Sequence, residues 1–188
     1  MTDNRDKISN ICVFCSACDG IRPSYFEAAR RLGRWIGSTG KTLIYGGVDL
    51  GLMGCIAEAA KSSGGRLIGI VPGKFEEDGK ASTLCDEIIN VPDLSARKDR
   101  MVRLADAVIA LPGGVGTMDE VFTVMAATSV GYHRKRVLLY DIDGFYDPLI
   151  RLMTTLSDEH FLRHGLDKYM LVAHDIDEII TSLQDYDR

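Results

Sequence analysis

Ten residues carry the densest chemical signal in the chain: Leu111-Pro112-Gly113-Gly114-Val115-Gly116-Thr117-Met118-Asp119-Glu120, directly after the apolar run Ala107-Val108-Ile109-Ala110. The pattern predicts a buried strand, a glycine turn and a helix over Thr117–Val130. Glycines let backbone approach a ligand closely. The first N–H groups of a helix lack internal partners, and the helix dipole there favours anions. Gly113, Gly114, Gly116 and Thr117 are therefore candidates to bind a phosphate. Asp119 and Glu120 would add carboxylates in the first helical turn. A plain phosphate seat gains nothing from acids so close, so the pattern points to chemistry on a phosphorylated substrate.

Arg97 and Lys98 stand at the opening of the preceding predicted helix. Aimed into the same crevice, an arginine beside Glu120 would hold that carboxylate ionised. Two further turns follow predicted strands: Cys15-Ser16, and Tyr45-Gly46-Gly47. Ser16, Gly46 and Gly47 lie in these turns, which could converge with the first on one crevice.

These turns need a scaffold that gathers strand ends. Strands are predicted at Ile11–Cys15, Thr42–Tyr45, Leu67–Val71, Glu87–Val91, Ala107–Leu111, Val137–Tyr140 and Tyr169–Val172. Helices are predicted at Pro23–Gly37, Leu52–Ser62, Ser95–Leu104, Thr117–Val130, Tyr146–Thr155 and Asp175–Leu183. In the first, Phe26, Ala29, Leu32, Gly33 and Ile36 share a face. Asp175 and Glu178 form a capping-box pattern at the start of the last. The strands read as continuous apolar runs, as expected when both sheet faces are covered. The alternation predicts a Rossmann-like α/β fold, an open, mostly parallel sheet with helices on both faces, whose ligands sit beyond the carboxyl ends of the strands.

The 188 residues fit one domain over 1–188, with a polar, flexible start at 1–10 and a polar loop at Phe75–Ser82. The predicted Thr117–Val130 helix is apolar almost all the way round, through Val121, Phe122, Val124, Met125, Ala126, Ala127 and Val130. Such a helix is either sunk in the core or covered by a second subunit.

A formal net charge of −5 argues against nucleic acid or an anionic membrane as partner. The basic clusters, Arg97-Lys98 with Arg100 and Arg103, and His133-Arg134-Lys135-Arg136, read first as solvated faces. No leader-like or spanning apolar run is seen, and five cysteines suit a reducing compartment, so a cytoplasmic location is expected.

Several motifs fail on inspection. Gly40-Lys41-Thr42 resembles the end of a phosphate-binding Walker loop, but Trp35 stands where a glycine is needed and a strand follows. Val48 and Asp119 break the dinucleotide fingerprint in the two glycine clusters, so a nicotinamide cofactor is unsupported. Cys12, Cys15 and Cys18 have iron–sulfur spacing, but Arg22 takes the fourth ligand position. His160 and His164 lack the adjacent glutamate of a zinc helix, because Phe161 is there.

Taken together, Pro112 to Glu120, Arg97-Lys98, Tyr45-Gly46-Gly47, Gly51-Leu52-Met53-Gly54 and Gly69-Ile70-Val71-Pro72 resemble the LOG family. Its members are cytokinin riboside 5′-monophosphate phosphoribohydrolases, long described as lysine decarboxylases. The stretch from Pro112 matches that family's PGGxGTxxE signature in full, and the resemblance runs from about Ile11 to Leu183. It implies a Rossmann-like homodimer with no metal and no redox cofactor, its interface around Val121–Val130. The implied reaction splits a nucleoside 5′-monophosphate, such as AMP or N6-modified AMP, into free base and ribose 5-phosphate. It implies Arg97 and Glu120 as the catalytic pair. Ser16, Gly46, Gly47, Lys98, Gly113, Gly114, Gly116 and Thr117 would contact the substrate. Arg97 would either orient Glu120 or touch the substrate itself.

Three segments depart from the family pattern: Leu94 and Ser95 replace its Met-His, Val48 replaces a third glycine, and Cys15-Ser16-Ala17-Cys18 replaces a glycine–serine run. All three bear on the base side of the crevice, which leaves prenylated adenine, plain adenine and another purine all open. Two rival functions remain. One is a carrier that binds a nucleotide or a molybdopterin-type phosphate ligand without turnover. The other is lysine decarboxylation, which normally needs a lysine Schiff base to pyridoxal phosphate; no lysine is convincingly placed for it.

Overall fold

The computed structural model describes residues 8–73, 81–184 and 186. The expected flexible start up to residue 7, and the expected loop up to residue 80, lie outside them. Seven strands form one sheet: β1 (Asn10–Phe14), β2 (Thr42–Tyr45), β3 (Arg66–Pro72), β4 (Glu87–Val91), β5 (Ala107–Ala110), β6 (Val137–Tyr140) and β7 (Met170–Ala173). Six helices are used below: α1 (Pro23–Ser38), α2 (Gly51–Ser62), α3 (Leu94–Leu104), α4 (Val115–Ser129), α5 (Asp147–Asp158) and α6 (Ile176–Gln184). The strand order is β4-β3-β2-β1-β5-β6-β7, and every ladder is parallel. The order reverses between β1 and β5, so the loops leaving those two strands flank a crevice. The protein has the α/β Rossmann-like fold.

Alternation along β1 divides the core in two. Ile11, Val13 and Cys15 point to one layer, with Leu32 and Ile36 of α1, Ile56 of α2 and Leu183 of α6. Cys12 and Phe14 point to the other, with Met101 of α3, Val124 and Met125 of α4, and Met153 of α5. Cys12 and Cys15 thus lie on opposite faces of the sheet, which accounts for both as core residues. Helix α1 sits unusually close to α2, because a Cβ on Gly33 would meet the Ile56 carbonyl at 2.6 Å and one on Gly37 the Ala60 carbonyl at 2.3 Å.

The edge strand β4 departs from the expected double cover. Glu87, Ile88 and Asn90 are exposed, and Glu87 Oε2 accepts from Arg66 Nη2 at 2.6 Å. Charge on an edge strand discourages pairing with another chain. At α6 the capping pattern forms with a one-residue offset. Glu178 N–H donates to Asp175 Oδ1 at 2.9 Å, while Glu178 Oε2 accepts from the His174 N–H at 2.7 Å. His160 and His164 both lie exposed after α5, outside any helix.

Candidate active site

The loops after β1, β2 and β5 meet at the carboxyl edge of the sheet. Ser16 ties them together: its N–H donates to the Pro112 carbonyl at 3.2 Å, and its carbonyl accepts from Leu52 N–H at 2.9 Å at the start of α2. Its hydroxyl accepts from Cys18 N–H at 3.0 Å. Ser16 is therefore a buried member of the crevice wall whose acceptors already serve the turn.

Helix α4 begins at Val115, two residues before the expected start. Gly114 is extended (φ −89°, ψ −154°) and its carbonyl accepts the Met118 N–H at 3.0 Å, so Val115 and Gly116 are already helical. No side chain among the described residues caps this end, leaving its first-turn N–H groups for a ligand. Cβ atoms placed on Gly114 or Gly116 would meet no atom of the described residues within 4 Å beyond their chain neighbours and the helix backbone itself. On Gly113 one would meet Thr117 Oγ1 at 2.1 Å, because the buried Thr117 side chain folds back over that glycine. The earlier start also moves the acids. Asp119 and Glu120 fall in the second turn of α4, not the first, so Glu120 stands one turn away from the open N–H groups.

Arg97 reaches Glu120 from α3, whose N-cap is Asp93, with Oδ1 accepting the Ala96 N–H at 2.8 Å. Arg97 Nη1 donates to Glu120 Oε1 at 2.9 Å, and Nε donates to the Ile70 carbonyl of β3 at 3.0 Å. Both side chains are nearly enclosed, 10% and 6% exposed. Nη2 donates no hydrogen bond to the described residues and lies against Gly46, where a Cβ would stand 2.0 Å from it. Met53 Sδ borders the same spot. Gly47 holds a positive φ of 68°, and its backbone packs on Gly69 and Val71. Gly46 and Gly47 therefore shape the floor under Arg97.

Glu120 Oε2 takes no hydrogen bond from the described residues and is not sealed from solvent. The expectation that Arg97 keeps this carboxylate ionised needs revising. Burial outweighs the pull of the Arg97 guanidinium and pushes the Glu120 carboxyl up to about 7, with Asp119 adding to the rise and Lys98 opposing it. Lys98 turns from the crevice to Asp119, donating to Oδ1 at 2.8 Å and Oδ2 at 2.7 Å. Sequence reasoning missed the Ile70 carbonyl, which leaves no side-chain signal, and Met53, which lies inside a quoted motif without an assigned part.

Beside this site, a groove of about 950 Å³ runs between α3 and α4, lined by Ser95, Lys98, Val102, Val124, Val130 and Tyr132. The apolar character of α4 resolves into two sides: Val121, Val124 and Met125 are buried, whereas Phe122 and Val130 are exposed.

The family model described as "Possible lysine decarboxylase" matches residues 53–183. The cytokinin riboside 5′-monophosphate phosphoribohydrolase LOG7 of Arabidopsis thaliana is 34% identical over 187 residues, covering 100% of this chain and 86% of its own. The chain belongs to the LOG family. The LOG enzyme of Oryza sativa subsp. japonica is likewise 34% identical over 184 residues, covering 98% of this chain and 76% of its own. Among solved structures the fold matches the molybdenum cofactor carrier protein of Chlamydomonas reinhardtii, with a TM-score of 0.72 and 24% identity over 96% of this chain and 98% of that one. It also matches the molybdenum cofactor binding protein of Rippkaea orientalis, with a TM-score of 0.71 and 21% identity over 97% and 99%. These two likenesses concern the fold. The LOG signature residues Gly113, Gly114, Gly116, Thr117 and Glu120 run from the loop after β5 into the second turn of α4, where Glu120 meets Arg97 of α3.

Proposed function

We propose that this LOG-family protein hydrolyses the N-glycosidic bond of a nucleoside 5′-monophosphate, AMP or an N6-modified AMP such as a cytokinin riboside monophosphate. The observation that carries the reading is the enclosed Arg97–Glu120 pair, with one carboxylate oxygen unengaged, one helical turn from the uncapped start of α4. The 5′-phosphate sits on the N–H groups of that start, in the cradle of Gly114 and Gly116 beside Thr117. The ribose then extends toward Glu120. As the C1′–N bond breaks, its electron pair leaves with the base and positive charge builds on the ribose. Ionised Glu120 offsets that charge and takes a proton from the attacking water. Water oxygen bonds to C1′, the base gains a proton, and ribose 5-phosphate results. Arg97 orients Glu120 through Nη1 and offers Nη2 to the substrate.

The same reading makes the protein a cytoplasmic homodimer. Phe122 on α4 and Val130 just past its end, both exposed, form the face a second copy covers. No helix among the described residues is long and apolar enough to cross a membrane. A second reading, a carrier for a nucleotide or molybdopterin-type phosphate ligand, draws on the fold shared with the two molybdenum cofactor proteins. A carrier has no use for an enclosed arginine–glutamate pair beside its phosphate seat, which favours the enzyme.

The test is incubation of purified protein with AMP, GMP, CMP, UMP and isopentenyladenosine monophosphate, following free base and ribose 5-phosphate by chromatography. Base release that disappears in E120Q and R97A supports the hydrolase. Tight binding of a nucleotide with no release from any of them overturns it in favour of the carrier.

A further inference from the structure

Two consecutive residues of α3 reach two consecutive residues of α4. Arg97 meets Glu120 at 2.9 Å, and Lys98 meets Asp119 at 2.7 Å. The first rung is enclosed. The second opens outward, with Lys98 16% and Asp119 56% exposed. Both of Asp119's carboxylate oxygens accept from Lys98 Nζ, so this ammonium is held by the acid next to Glu120 in the chain.

The groups acting on Glu120 come from four directions. Helix α3 supplies Arg97 and Lys98, and α4 supplies Asp119. Strand β1 and the residue just after it supply the Cys12 and Cys15 thiols, and the turn before α5 supplies the Tyr146 phenol. Burial pushes both thiols and the phenol upward, so all three are uncharged near neutral pH. The charges left to act on Glu120 are Arg97, Lys98 and Asp119. Arg97 is fixed by Ile70 and by Glu120 itself. The outer rung consists of two opposite charges, one residue along each helix from the Arg97–Glu120 rung, and among the described residues they are hydrogen-bonded only to each other.

We propose that Lys98 and Asp119 form a neutral pair beside the Arg97–Glu120 rung, each member cancelling the other's pull on the ionisation of Glu120. Lys98 on this account is not a substrate contact. Its effect on rate rests on the hydrolase reading, but its effect on Glu120 does not. Removing one member leaves the other's charge uncompensated, so the two single variants act in opposite directions. Loss of the ammonium leaves a bare carboxylate that disfavours a second negative charge. Loss of the carboxylate leaves a bare cation that favours it.

The experiment is a carbon-13 NMR titration of ligand-free protein labelled at glutamate Cδ, with the Glu120 signal assigned by its absence in E120Q. K98M should raise the Glu120 midpoint by about 0.5 to 1 unit and D119N should lower it by a similar amount. K98M/D119N and K98R should each return close to the parent value. Because Asp119 is largely exposed, D119N is expected to fold and carries the test alone where K98M does not. A midpoint unmoved in the variants, or moved the same way by both, overturns the proposal, since lost packing between α3 and α4 has no sign. The titration needs no turnover. A protein inactive on every nucleotide with opposite shifts in the two variants would sink the hydrolase reading and leave this one standing.

Discussion

Arg97 is pinned at two of its three guanidinium nitrogens, by the Ile70 carbonyl and Glu120 Oε1, and the third lies beside Gly46. That constraint makes the backbone after β2 part of the site. G46A should place a methyl carbon on Nη2 and force the guanidinium off one of its two partners. The fold can absorb this, because the clash is with the end of a side chain. Activity cannot, and a loss of about 100-fold or more in kcat is expected with circular dichroism unchanged. Parent-like kcat in G46A would show that Arg97's position does not matter.

E120Q keeps the size of the side chain and an oxygen to accept from Arg97, but removes the base. General-base groups contribute roughly 100- to 10,000-fold, so kcat should fall within that range while KM moves little. R97A should lose activity similarly and also lose stability. Removing one partner of a buried pair typically costs about 3–5 kcal/mol, and a buried carboxyl lessens that by taking up a proton. A calorimetric comparison of the two variants separates these effects.

The Glu120 carboxyl, pushed up to about 7, fixes two signs. As a base it works only when ionised, so kcat/KM should fall on the acid side with a midpoint near 7, and E120D should keep the limb but move it. For stability, the folded state retains a proton that the unfolded chain loses from about 4.5 upward. The folded form is thus favoured below that value, and the advantage fades as pH rises through about 7. Over this window the loss is on the order of 3 kcal/mol. Chemical unfolding at pH 5 and pH 8 should show a smaller drop for E120Q than for the parent. Equal drops in the two proteins would mean that Glu120 titrates normally.

The sheet was legible in the sequence because its inner strands are short, apolar and followed by turns. All seven were placed within a residue or so of their ends. Edge strand β4 was found by its β-branched residues, but its exposure was not, since strand order is not written in local pattern. The start of α4 was placed two residues late because Gly116 is a poor helix former. In the first turn that preference weighs little, as the N–H groups there have no helical partners to lose. The same slip put Glu120 in the first turn. The pairing of Arg97 with Glu120 was anticipated, but not that burial would outweigh the arginine, nor that Lys98 would be spent on Asp119. Those outcomes depend on how deep α3 and α4 sink, which residue types alone do not state.

Gly114 and Gly116 separate fold from function. Neither has a protein atom near where a Cβ would go, so G116A loses no packing and gains the better helix propensity of alanine, worth at most about 1 kcal/mol. Thermal stability should hold or rise slightly. The added methyl faces the cradle proposed for the phosphate, so KM for the nucleotide should rise about tenfold or more. An unchanged KM would move the phosphate elsewhere.

The exposed side of α4 tests the assembly. Phe122 is 39% and Val130 55% exposed, and Tyr132 just beyond them is 85% exposed. Three large apolar side chains along one helix and its exit are costly to leave in water if they form a contiguous patch, and a second copy of the same face would cover them. Analytical ultracentrifugation should show a dimer for the parent and a monomer for F122E/V130E. Neither side chain belongs to the buried core, so the variant should keep its parallel sheet and its circular dichroism. A parent that sediments as a monomer at tens of micromolar would remove the dimer and leave the groove between α3 and α4 open to solvent. The Arg97–Glu120 pair would then have to work within a single subunit.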